Sequence, residues 1–67
     1  MKQYEHVWFV IHRSKCVSAH AHWQDELLEL DYWSCIEHLE RFGFVLCAIR
    51  DYPEKELVEY YLARELS

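Results

Sequence analysis

The side chains best suited to chemistry in this chain are its five histidines and three cysteines. His6, His12, Cys16, His20 and His22 fall at spacings that place them on one face of a hairpin turning at Arg13-Ser14-Lys15. A register with His12 beside Cys16 also sets His6 beside His22 and Trp8 beside His20. Imidazole nitrogens and a thiolate are ligands that zinc prefers, and His20-x-His22 on a strand presents two nitrogens to one side. His6, His20 and His22 are therefore candidate metal ligands, with zinc the candidate ion. The competing reading is a polar face of alternating Ala and His on a half-buried strand, and no Cys-x-x-Cys pair argues for a metal site. Apart from zinc, no cofactor is expected.

A second arrangement, Cys35-x-x-His38, has the residue types of a thiol nucleophile and its base, but a helix turns Cys35 inward and His38 outward, and a buried thiol is inert packing. Cys47 falls within an apolar strand. One glycine excludes a Gly-rich phosphate loop, and a chain of 67 residues rarely forms the concave pocket that catalysis needs. The chain is read as not an enzyme.

The third arrangement is acidic and aromatic. From Cys16 to Glu40 there is no Lys or Arg, while Asp25, Glu26, Glu29, Asp31, Glu37 and Glu40 accumulate around Trp23 and Trp33. Tryptophan with a charged rim is the composition of a protein-binding hot spot. Carboxylates along one face can also pair with the Lys and Arg that a nucleic-acid-binding enzyme keeps for phosphates. Trp33, Glu37, Glu40, Trp23, Asp25, Glu26 and Glu29 are the candidate protein-binding residues. The bland alternative is a solvated acidic face with Trp33 tucked against the sheet edge.

Elements must hold these side chains in place. Residues 3–12 are rich in β-branched and aromatic types, with Val7, Phe9 and Ile11 on one face and Tyr4, His6, Trp8, Val10 and His12 across. Residues 16–23 alternate as a second strand, Val17, Ala19, Ala21 and Trp23 against Cys16, Ser18, His20 and His22. Residues 24–30 fit a helical turn, an edge strand or a loop whose leucines cap the core. Tyr32, Cys35, Ile36, Leu39 and Phe42 follow the spacing of a buried helical stripe, framed by Asp31 as N-cap and Gly43 beyond the C-cap. Residues 44–51 read as a strand, Pro53-Glu54 as a turn and 57–66 as a last strand. The expected fold is α+β, a single small antiparallel sheet with one helix packed on one face, in the order β-β-α-β-β. It forms one domain over residues 1–67.

Half of the residues, 52%, are hydrophobic, which argues against disorder, while a chain this short buries only about 60% of its unfolded surface. No segment approaches the roughly 18 apolar residues of a membrane span. An odd cysteine count and an amino-terminal stretch without a leader pattern lead to an expectation of a cytoplasmic protein with reduced thiols. The net charge of −5 and the scattered bases lead to an expectation of no direct nucleic-acid binding.

Lys2-x-Tyr4-Glu5 opening a strand, Gly43-Phe44-x-Leu46 after the helix and Tyr60-Tyr61-Leu62-x-Arg64-Glu65 at the close together resemble the domain-of-unknown-function 4177 family, small bacterial and phage proteins. The resemblance covers about half the chain. Phe44 stands where the family usually has Trp, and 14–30 has no clear counterpart. It implies a β-α-β-β fold, here with an additional strand, and no catalytic residue.

One helix covers one face of a sheet; Tyr4, Trp8 and Val10 oppose the Val7-Phe9-Ile11 face, and Tyr60 and Tyr61 divide the last strand, which leaves apolar surface beyond the helix. A homodimer or a tight protein partner is expected. The favoured function is a non-catalytic interaction protein, an acidic inhibitor occupying a basic, nucleic-acid-binding surface of a host or defence enzyme. The alternatives are a metal- or small-ligand-binding homodimer using the hairpin histidines, and a structural subunit of a larger assembly.

Overall fold

The alternation in residues 4–12 becomes the central strand of the sheet in the computed structural model, which describes residues 2–21 and 24–66. This strand, β1 (Tyr4–His12), buries Val7, Phe9 and Ile11 and turns Tyr4, His6, Trp8, Val10 and His12 the other way. It pairs on one side with β2 (Lys15–His20) and on the other with β4 (Leu57–Glu65), which in turn pairs with β3 (Val45–Tyr52). The sheet is antiparallel with strand order β2-β1-β4-β3. A four-residue helix α1 (Gln24–Leu27) and a nine-residue helix α2 (Tyr32–Glu40) lie between β2 and β3, so the order is the expected β-β-α-β-β with α1 added.

The first hairpin corrects the expected register. Arg13 and Ser14 both have positive φ (51° and 72°), the backbone of a two-residue type I′ turn that suits the twist of the strands. A two-residue turn pairs His12 with Lys15 and Ile11 with Cys16, not His12 with Cys16. A bulge then takes up Val17, after which Val10 faces Ser18 and Trp8 faces His20 as expected. Cys16 therefore sits in the core on the Ile11 side, fully buried, and leaves the histidine face. The strand ends at His20, with a bend at Ala21, and the last two residues of the expected strand, 22 and 23, lie outside the described residues.

Residues 24–30 resolve into α1 and a turn. Leu27 is fully buried, and Glu29, at φ 72°, and Leu30 bond to the outer edge of β2 through Cys16: the Cys16 N–H donates to Leu30 O (2.7 Å) and the Glu29 N–H to Cys16 O (2.8 Å). In α2 the Asp31 carboxylate accepts the Ser34 N–H at 2.8 Å, so the N-cap is the expected one. Cys35, Ile36 and Leu39 form the buried stripe. The helix ends at Glu40, two residues early, because Gly43 at φ 87° lets the chain reverse toward buried Phe44; Phe42 is left 40% exposed instead of completing the stripe.

The core is one layer between the helices and the sheet, with Phe9, Leu27, Leu39, Phe44 and Leu62 at its centre. The molecule measures 39 × 22 × 16 Å, and its short dimension admits one sheet and one helical layer. On the far face of the sheet no described residue is fully buried.

Candidate protein-interaction site

Trp33, Glu37 and Glu40 are spaced i, i+4, i+7 along α2, which puts them on the stripe opposite the Cys35-Ile36-Leu39 contact with the sheet. Trp33 is 70% exposed, and among the described residues its ring contact is with Tyr32, T-shaped at 5.1 Å. Tyr32 is anchored in turn on Tyr60 (4.6 Å) and Phe9 (6.4 Å), so the exposed indole is the outer end of an aromatic chain that starts in the core. Burial and the neighbouring Tyr32 push the Tyr60 hydroxyl's pKa up. The tucked position for Trp33 does not occur.

The acids divide by what they touch. Glu26 Oε2 lies 2.9 Å from His38 Nε2, and Glu29 lies 3.9 Å from Lys15 Nζ across the β2 edge. Asp31 is used as the cap, its pKa lowered by the Ser34 backbone N–H. Asp25, Glu37 and Glu40 are exposed and have no ion pair among the described residues. Trp23 lies outside the described residues. The structure thus brings Trp33, Glu37 and Glu40 onto one stripe and sets Glu26 and Glu29 apart from it in internal pairs.

The proposed metal ligands separate differently. His6 and His20 share the open face of the sheet, and His22 lies outside the described residues. His20 stacks flat on Trp8, with ring centroids 4.1 Å apart and planes at 9°. Among the described residues no group of three or more His, Cys, Asp or Glu is placed to hold a metal ion. Cys16 and Cys35 meet in the core, and burial, reinforced by the neighbouring Cys16 thiol, pushes the Cys35 pKa up to about 12. His38 is not on the far side of the helix from everything else; it is half-buried between Glu26 and Phe42, whose ring is 5.5 Å away.

Sequence reasoning missed Arg64, which among the described residues is the most heavily bonded side chain outside the helices. Arg64 reaches Glu5 Oε1 with Nε (2.8 Å) and Nη2 (2.7 Å), donates from Nη1 to Phe42 O (2.7 Å), and lays its guanidinium 4.6 Å from the Phe44 ring centroid. Lys2 pairs with Glu65 at 3.8 Å beside it. The Lys2/Glu5, Gly43-Phe44 and Arg64-Glu65 segments therefore meet at one corner of the fold, where they act as a latch between β1, β4 and the end of α2. Their charge order, basic-acidic at one end of the chain and basic-acidic at the other, was the available signal.

No protein-family model matches the chain, and no curated protein or solved structure does either. Among the described residues no helix is long and apolar enough to cross a membrane.

Proposed function

We propose that this chain is a non-catalytic interaction protein that occupies a basic surface of a protein partner through the Trp33-Glu37-Glu40 stripe. The supporting observation is a tryptophan 70% exposed beside two carboxylates that have no ion pair among the described residues, on a helix fixed at both ends. An exposed tryptophan has little conformational freedom to lose on binding and supplies a large apolar contact. The carboxylates, available to a partner's Arg or Lys, contribute orientation and association rate. A partner that uses such cations for nucleic-acid phosphates would be blocked by competition, which makes this protein an inhibitor of the acidic-mimic kind.

The test is affinity capture followed by competition. Wild-type protein should retain a partner whose release by salt is steep, and a Trp33→Ala, Glu37→Lys, Glu40→Lys variant should lose it. The captured partner should lose its nucleic-acid binding when wild-type protein is added. Equal capture by the variant would remove the proposal.

A further inference from the structure

Among the described residues, no element covers the face of the sheet turned away from the helices, and none of its side chains is fully buried. Across its middle runs a row of one side chain from each strand: His20, Trp8, Tyr61 and Ala48. Trp8 stacks on His20 and stands 6.2 Å from Tyr61, so the three rings form a continuous ridge. Beside it Val10, Leu57, Tyr52, Lys55 and Glu59 line a hollow of about 270 Å³. A ridge and a hollow on one flat surface are complementary to each other. A two-fold axis in the plane of the face, running between them, lays the ridge of one molecule in the hollow of a second and the reverse.

We infer that this face binds a second copy of the same chain, sheet against sheet. The area suits that occupant: the molecule's two longer dimensions, 39 and 22 Å, bound the face at on the order of 800 Å², which reaches the ~800 Å² per partner of a standard stable interface. The charges suit it as well. Lys2 is 3.8 Å from Glu65 and Lys15 is 3.9 Å from Glu29, while Arg50, whose Nη1 donates to the Tyr52 hydroxyl at 3.3 Å, has Glu59 as its register neighbour on β4. Cations set beside acids in this way leave little for the phosphates of a nucleic acid, whereas an uncharged aromatic ridge suits the core of a homodimer. Sheets pack face to face at about 10 Å, a spacing that interleaved Trp8 and Tyr61 rings fill beside small Ala48 and Ser18.

Sedimentation of the full chain from about 10 µM to about 1 mM tests this. The mass should rise from 8.3 kDa to twice that value. Ala48→Arg and Ser18→Arg, on exposed positions flanking the ridge, should each weaken association about tenfold or more while leaving the far-UV spectrum unchanged. Trp33→Ala, on the opposite side of the molecule, should leave association as it is. Should an arginine variant lose its fold, the wild-type protein still decides the matter: broadening of the Trp8 indole N–H signal by a soluble paramagnetic agent should fall as concentration rises. A chain that stays at 8.3 kDa throughout overturns the inference. So does a dimer that survives both arginines, which would be held by another surface such as the β3 edge, or a Trp8 signal equally broadened at all concentrations.

Discussion

Replacing Arg64 with Ala removes the latch, and the structure permits the cost to be worked out. The side chain is 30% exposed and its partner Glu5 20%, so the pair is too dry to be treated as a surface ion pair and too wet to carry the full cost of a buried one. Losing it is worth about 1 kcal/mol. The bond to Phe42 O is charge-assisted and sits just beyond the end of α2, where a cation also meets the negative end of the helix dipole, together worth about 1.5 kcal/mol. The guanidinium over Phe44 adds about 0.5 kcal/mol. The sum is about 3 kcal/mol, against a total stability of roughly 3 to 10 kcal/mol for a chain of this length. In a domain this small that lowers the Tm by roughly 12 to 24 °C. Thermal and urea unfolding by circular dichroism would measure it. Arg64→Lys should fall between, since an ammonium keeps the charge but cannot reach Glu5, Phe42 O and the ring together. A cycle with Glu5→Gln should show coupling of about 1 kcal/mol. If Arg64→Ala melts within ~3 °C of wild type, the latch is decoration and the reasoning fails.

Other perturbations probe the core, the thiols and the cap. Leu27→Ala, at a fully buried position on a four-residue helix, should cost about 2 to 4 kcal/mol in urea unfolding, and a neutral result would mean α1 is not part of the core. Under native conditions only exposed Cys47 should react promptly with a thiol reagent, and Cys16 and Cys35 only on unfolding; fast reaction of more than one thiol would contradict their burial. Because the folded Cys35 pKa is raised from 9.0 to about 12, its contribution to stability is complete below the lower value and drains away as pH climbs toward the upper one. Cys35→Ala should therefore have a shallower alkaline loss of stability than wild type; parallel curves would refute it. For Asp31 the sign reverses: its folded pKa is lowered, so its stabilisation is present above the ordinary carboxylate range and lost as pH falls through the folded value. Asp31→Ala should remove that acid-limb dependence, which matched acid titrations of the two proteins would reveal.

What could be read from the sequence was whatever repeats at a short period. Val7, Phe9 and Ile11 declare their face by alternation, and Asp31 and Gly43 frame α2 because capping and positive φ each favour few residue types. The first hairpin was legible beyond its bulge and illegible before it. Neither Arg13 nor Ser14 is a usual positive-φ residue, so the two-residue turn carried no Gly or Asn signal, and the bulge at Val17 that follows from it moved Cys16 from the histidine face to the core. Helix α1 spans too few residues to show a period, and only tertiary burial of Leu27 gives it a reason to form. The Arg64-Glu5 pair needed the β1-β4 register across 59 residues, which no local pattern encodes. For the interaction site, the i, i+4, i+7 spacing of Trp33, Glu37 and Glu40 was visible, but which acids were already paired was not, because Glu26 and Glu29 find His38 and Lys15 only in three dimensions.

The two proposed surfaces lie on opposite sides of a molecule only 16 Å deep, and this has a consequence for binding strength. A dimer closed through the open sheet faces would leave both α2 helices on the outside, so that each Trp33-Glu37-Glu40 stripe stays available and the two point away from each other. One partner with a single basic surface could then engage only one stripe, and dimerisation would not change its affinity. A partner that is itself oligomeric, or one that lines a long strand of nucleic acid with repeated basic surfaces, would meet two stripes on a rigid spacer. Second-site binding would then be intramolecular, and avidity could exceed single-site affinity by about 10² or more if the spacing fits. The Ala48→Arg variant separates these cases, because it should break the dimer without touching either stripe. Unchanged inhibition by that variant would mark a monovalent partner, whereas a loss of potency with the stripe intact would show that the sheet face and the helix face act together.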